Sequence, residues 1–167
     1  MCCENETNDT GLYVSVCEGG SWDCDSNICP GLCNAWGDAH FETFDGKLYD
    51  FEGTCEYVLV KARVSDNVFF SVTFQNVPCG MGSKATCGKT VSVTLGDSSL
   101  LLTRLHPLPS LPENSRLKAT QVGMFTLVES DIGISIQWDR NTRVYVTAQP
   151  IWKNKASLLF WPSIKYV

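Results

Sequence analysis

From Trp36 onward the chain breaks into short apolar runs, rich in β-branched and aromatic residues and separated by turn residues. This is the pattern of β-strands, one of which alternates apolar and polar residues as a half-buried strand does. Thr90–Leu95, T-V-S-V-T-L, alternates most cleanly, while Cys55–Val64 and Val68–Val77 are longer and rich in Val, Tyr and Phe, residues that suit a pleated surface. Gly96-Asp97-Ser98-Ser99 is a turn cluster before Leu100–Arg104, so this stretch reads as a hairpin. Leu105–Asn114 holds Pro107, Pro109 and Pro112 and is expected to be a loop or an extended edge, because proline gives no N–H to a ladder. Three more strands are predicted at Met124–Glu129, Gly133–Trp138 and Arg143–Ala148, with turns at Asp131-Ile132-Gly133 and Asp139–Thr142. No window keeps apolar residues at i, i+3, i+4 and i+7 long enough for an amphipathic helix. The pattern predicts an all-β, antiparallel sandwich or barrel, and there is no internal repeat.

Residues 1–33 differ. They are polar and rich in Gly and Cys, with Gly11–Val16 as a short extended stretch at most. Such a segment cannot bury a core and must be stapled. The chain has nine cysteines, Cys2, Cys3, Cys17, Cys24, Cys29, Cys33, Cys55, Cys79 and Cys87, none beyond Cys87. Zinc competes with disulfides as their explanation, but only Cys29 and Cys33 have finger-like spacing and no second pair completes the set. Sequons at Asn5 and Asn8 mark both as glycosylation candidates and agree with an extracellular, secreted setting. Met1-Cys2-Cys3-Glu4 has neither the basic nor the apolar region of a signal peptide, so the chain is expected to be a piece of something longer.

At 167 residues, with 44% hydrophobic and 19% charged residues, a packed core is within reach. A net charge of −5 argues against nucleic acid as a partner, and no run of about 18 apolar residues marks a membrane span. His40, near Asp38, Glu42 and Cys33, invites a Cys–His reading. That chemistry needs a free thiol within reach of the imidazole, and in an oxidising compartment Cys33 reads better as half a disulfide, with His40 a structural residue at a strand start. Glu42 with Asp45, or Asp38 with Asp50, could be carboxylate pairs for glycoside hydrolysis, which also needs a saccharide cleft. His106, before Pro107, reads as solvated.

Residues 33–57, C-N-A-W-G-D-A-H-F-E-T-F-D-G-K-L-Y-D-F-E-G-T-C-E-Y, closely resemble the opening of the von Willebrand factor type D domain. A cysteine (Cys33), the Gly37–His40 group, the Thr43–Gly46 turn, the aromatics Tyr49 and Phe51, and Gly53-Thr54-Cys55-Glu56-Tyr57 come in the family's order. Gln137-Trp138-Asp139 with Thr142–Val146 resembles its late strand pair, and residues 1–33 resemble the small cysteine-rich module that precedes such domains. The wording of W-G-D-A-H-F and Gln75-Asn76-Val77-Pro78-Cys79 resembles that of insect hemocytin- and hemolectin-type clotting proteins.

The resemblance implies a small disulfide-rich module over residues 1–33, an incomplete type D domain, antiparallel and sandwich-like, over 34–155, and an atypical apolar tail over 156–167. That tail stands where the family continues into a cysteine motif; it is either a last strand or foreign sequence. The resemblance also implies calcium as a cofactor, with Asp45 as one ligand, although the loop that carries the family's remaining ligands has no counterpart here. As a plain turn residue, Asp45 would instead bond its own backbone. Cys79 and Cys87 match the family's short local disulfide, Cys33 and Cys55 match cysteines whose partners lie in a part not present, and Cys17, Cys24 and Cys29 are assigned to bonds within the leading module. The function implied is non-enzymatic: a structural and adhesive unit of a secreted glycoprotein in hemolymph clotting or gel formation. Its partners would be other copies, other type D domains or extracellular glycoproteins. A soluble binding or protease-inhibitor-associated module is the alternative, since the leading unit resembles parts that accompany inhibitor domains.

Overall fold

The computed structural model describes residues 30–37, 39–82 and 86–153, preceded by the backbone of two short strands, β1 (Val16–Glu18) and β2 (Ser21–Asp23). These two pair antiparallel, with Val16 opposite Asp23. Cys17 sits in β1, but its side chain, Cys24, Cys29, Asn5, Asn8 and the tail 156–167 lie outside the described residues.

Four long strands follow the expected runs: β6 (Glu56–Ser65), β7 (Val68–Pro78), β8 (Thr86–Leu95) and β9 (Ser98–Thr103). They form one antiparallel sheet in chain order, β6-β7-β8-β9. Ser65 pairs with Val68 and Leu95 with Ser98, so two-residue turns close both hairpins. Gly96 takes φ +56° in the second turn, as the primed turns that follow the right-handed twist of their strands require. A register shift between Arg63 and Ser65 accompanies the first. Ser98 and Ser99, expected in the turn, belong to β9 because the turn needs only Gly96 and Asp97. Gly88 lies opposite Asn76, and a β-carbon there would overlap the ring of the buried Phe74. Only glycine lets that ring lie flat on the sheet.

The second sheet has seven strands in the order β10-β11-β12-β13-β3-β4-β5. Its members are β3 (Gly31–Trp36), β4 (His40–Glu42), β5 (Leu48–Asp50), β10 (Leu117–Val122), β11 (Phe125–Ser130), β12 (Ile134–Trp138) and β13 (Val144–Ala148). Two antiparallel blocks, residues 31–50 and 117–148, meet where β3 pairs with β13, Gly31 opposite Ala148 and Ala35 opposite Val144. The domain boundary expected at residues 33/34 therefore runs through a strand: Gly31 and Leu32 already belong to the sheet. A 3-10 turn, Pro150–Trp152, ends the described chain. The indole of Trp152 donates to the carbonyl of Ile132 at 2.8 Å, which fastens it to the β11–β12 turn.

The inner faces of the two sheets share one hydrophobic core. Phe70, Val72, Val91, Val93 and Leu102 come from the smaller sheet, and Cys33, Val128, Ile136, Trp138, Val144 and Val146 from the larger, all at 0% exposure. The fold is thus an all-β antiparallel sandwich, as the alternation predicts.

Candidate functional site

The signature segment 33–57 forms the β3–β4–β5 meander and its crossing to β6. Its T-F-D-G element is the β4–β5 hairpin loop. The Gly46 N–H donates to the Thr43 carbonyl (2.9 Å) and the Thr43 N–H to the Lys47 carbonyl (3.0 Å). Gly46 takes φ +76°, the left-handed position that closes a three-residue hairpin and that favours glycine. Asp45 stands at the tip, exposed. The Thr43 hydroxyl donates to its carboxylate and, with backbone donors, holds it below the usual carboxylate range. Among the described residues no cluster of three or more His, Cys, Asp or Glu side chains could hold a metal. Calcium takes six to eight oxygens, so the described residues do not by themselves fit it.

His40 and Cys33 do not meet. Cys33 and Ala35 face the core, whereas His40 lies opposite Trp36 on the outer face. The His40 ring packs on Trp36, centroids 5.9 Å apart, and its Nδ1 lies 2.6 Å from an Asp50 carboxylate oxygen. Glu42, also on the outer face, accepts from the Asn34 amide at 2.8 Å. The carboxylates Glu42, Asp45 and Asp50 thus each hold a different partner; Asp38 lies outside the described residues.

The cysteines of the described region fall into three environments. Cys79 and Cys87 are joined by a disulfide, Cα–Cα 5.0 Å, across the β7–β8 connection. Cys33 is unbonded and fully buried. Burial, reinforced by the nearby Glu42 charge, pushes its thiol far above the ordinary value, so it stays protonated and inert. Cys55 is unbonded and exposed, between Phe51 and Tyr57, whose rings meet edge to face at 4.8 Å. The Tyr57 phenol is raised by burial and then by its hydrogen bond with Cys55. What this arrangement offers chemically, among the described residues, is one accessible thiol, Cys55, on a disulfide-pinned sandwich.

A T-F-D-G hairpin set on a seven-on-four antiparallel sandwich defines a class. Residues 33–157 match the model of the von Willebrand factor type D domain, and the chain belongs to that family. It is 40% identical to hemocytin of Bombyx mori over 144 residues, which cover 83% of this chain and 5% of that protein. It is 37% identical to SCO-spondin of Gallus gallus over 155 residues, 87% of this chain and 3% of that protein. It is 36% identical to mucin-2 of Homo sapiens over 161 residues, 89% and 3% of the two. The aligned part is therefore a small fraction, 3% to 5%, of each of these relatives.

Reading residues by type did not single out Trp138, Arg140, Asn76 or Thr86. Each has buried side-chain polar atoms without a hydrogen-bond partner. Trp138 and Asn76 stand in the Gln137–Asp139 and Gln75–Cys79 stretches that carry the family resemblance, and Arg140 stands in the turn expected at Asp139–Thr142.

Proposed function

We propose that this chain is a structural and adhesive unit, not an enzyme, of a secreted multidomain glycoprotein that assembles outside the cell, in hemolymph clotting or gel formation. The observation that carries this reading is Cys55, exposed and unbonded on a type D sandwich. A thiol so placed can attack a disulfide of another copy, forming an inter-chain disulfide and releasing the other sulfur of the attacked bond as a thiol, while the buried Cys33 cannot. The sandwich supplies the stiff carrier, and Cys79–Cys87 ties down one end of its smaller sheet. Partners in this reading are other copies of the chain, other type D domains and extracellular glycoproteins. Similarity to hemocytin and mucin-2 supports it. No described helix is long and apolar enough to cross a membrane.

Non-reducing electrophoresis of the secreted chain tests the proposal. Disulfide-linked species that collapse with reductant and disappear in Cys55→Ser are expected; monomers alone under every condition overturn it. Calcium is the separate part implied by the family resemblance. Asp45 would lend one carboxylate, with the other oxygens coming from outside the described residues. Calorimetric titration of the chain and of Asp45→Ala decides this part: a saturable heat lost in the variant supports it, and equal, non-saturating heats remove it.

A further inference from the structure

Among the described residues, the buried side-chain polar atoms without a partner are Nδ2 and Oδ1 of Asn76, Oγ1 of Thr86, Nε1 of Trp138, and Nε and Nη2 of Arg140. They are not scattered. Trp138 ends β12 and pairs with Thr126, whose hydroxyl donates to the Pro107 carbonyl (2.8 Å) in the loop that leaves β9. Phe51, at the end of β5, donates its N–H to the Ala39 carbonyl (3.0 Å) and packs on Tyr57 at the start of β6. Asn76 donates its N–H to the Cys55 carbonyl (3.0 Å), one residue before β6 starts, and Thr86 lies opposite Pro78. All four residues therefore sit toward one end of the sandwich: Asn76 and Thr86 on the smaller sheet, Trp138 at the end of β12 in the larger one, and Arg140 in the turn that follows it.

The chemistry of this group is lopsided. Arg140 and Trp138 can only donate, and the Asn76 amide adds two more N–H groups against one carbonyl. Buried donors without acceptors are rare and demand an account, above all on a guanidinium, which cannot shed its charge. The neighbouring acid does not supply one: the Asp139 carboxylate accepts from the N–H groups of Asn141 (2.8 Å) and Arg143 (2.9 Å). The same molecule shows what the bare edge is shaped for. Arg116 uses its Nε and Nη2 to grip both carboxylate oxygens of Asp131, at 2.7 and 3.0 Å. Arg140 has the same pair of atoms buried without a protein acceptor, at a residue with φ +64°.

We propose that this end of the sandwich is a carboxylate-binding site. The Nε/Nη2 edge of Arg140 takes the two carboxylate oxygens. Trp138 donates its indole N–H to the same group, and Asn76 and Thr86, across on the smaller sheet, bond the chain or solvent that comes with it. Arg140 belongs to a turn and is only partly buried, so the ligand enters by shifting that turn and leaves the core in place. The carboxylate is either a free small acid or an Asp or Glu side chain of a polypeptide. The site does not depend on whether the chain forms inter-chain disulfides through Cys55.

The test follows the Arg140 Nε–H and Trp138 indole N–H signals of the full chain by nuclear magnetic resonance. Sodium acetate is titrated against sodium chloride at equal ionic strength, and a Glu-containing peptide against its Gln counterpart. Saturable movement of both signals with acetate and not with chloride is expected. Half-saturation at least tenfold lower with the Glu peptide than with acetate assigns the source to a polypeptide; equal values assign it to a free acid. Arg140→Leu should abolish the indole response, because it removes the only charged donor of the group. Arg116→Leu, which breaks an occupied grip, should leave the acetate response intact. No carboxylate-specific movement in the wild type, or an indole response that persists in Arg140→Leu, overturns the proposal.

Discussion

The two sheets of this sandwich are assembled on different principles. The smaller is four strands in chain order, each hydrogen-bonded to the next through a tight or disulfide-bridged connection. The larger is closed at its middle by β3 and β13, which bring residues 31–35 against 144–148. Local pairing forms at small entropic cost, whereas a seam between distant segments must close a long loop before any contact repays it. The smaller sheet is thus the natural nucleus, and the larger depends on it for a surface to settle on.

Four changes would break or sharpen that contrast. Trp138→Ala, at a fully buried position of the larger sheet, should cost about 3–5 kcal/mol, read as a shift of the urea midpoint. A loss below about 1 kcal/mol would mean that the larger sheet is loosely packed. Reducing Cys79–Cys87, or replacing both by Ser, should cost about 2–3 kcal/mol by releasing a loop of sequence separation 8; an unchanged midpoint in dithiothreitol would contradict this. Val93→Ala in the smaller sheet and Val146→Ala at the seam should each cost about 2 kcal/mol, but on different arms of the chevron. The first should slow folding and the second should speed unfolding. If both act on the same arm, the two sheets form together and the contrast fails.

The smallest effect concerns the turn between β4 and β5. Asp45 has its pKa lowered from the ordinary 3.8, chiefly by the Thr43 hydroxyl. Its contribution to the turn is therefore complete above that value and is lost as pH falls through the lower folded one. Thr43→Val should bring the carboxyl titration back toward 3.8, followed by the Asp45 side-chain carbon resonance; an unmoved titration would assign the depression to the backbone donors.

The alternation of the sequence located the long strands to within a few residues, because a strand buried on one face and solvated on the other writes its geometry into its composition. Leu117–Val122 escaped notice for the opposite reason. It is the edge of its sheet, and Lys118, Gln121 and Val122 are exposed, so its pairing with β11 comes from backbone bonds that no side-chain pattern records. The hairpin turn at Asp45 was legible from its T-F-D-G wording, and Cys79 with Cys87 from the family resemblance. The unpartnered donors of Arg140 and Trp138 were not legible. Whether an N–H meets an acceptor depends on what folds around it, and residue type alone carries no sign of that.

One consequence of the β3–β13 seam is mechanical. Gly31, where the chain enters the sheet, lies opposite Ala148, where it leaves. Tension carried along the chain would pull these two strands apart from the same end, loading their hydrogen bonds one after another, as in a zipper. Sandwiches pulled in shear resist with a whole ladder at once; this one should yield at low force and lengthen early, which single-molecule stretching would record as a low first rupture. Crosslinking residues 31 and 148 should remove that rupture. In a stretched polymer such a domain would serve as an extensible element, giving way before the covalent links on either side.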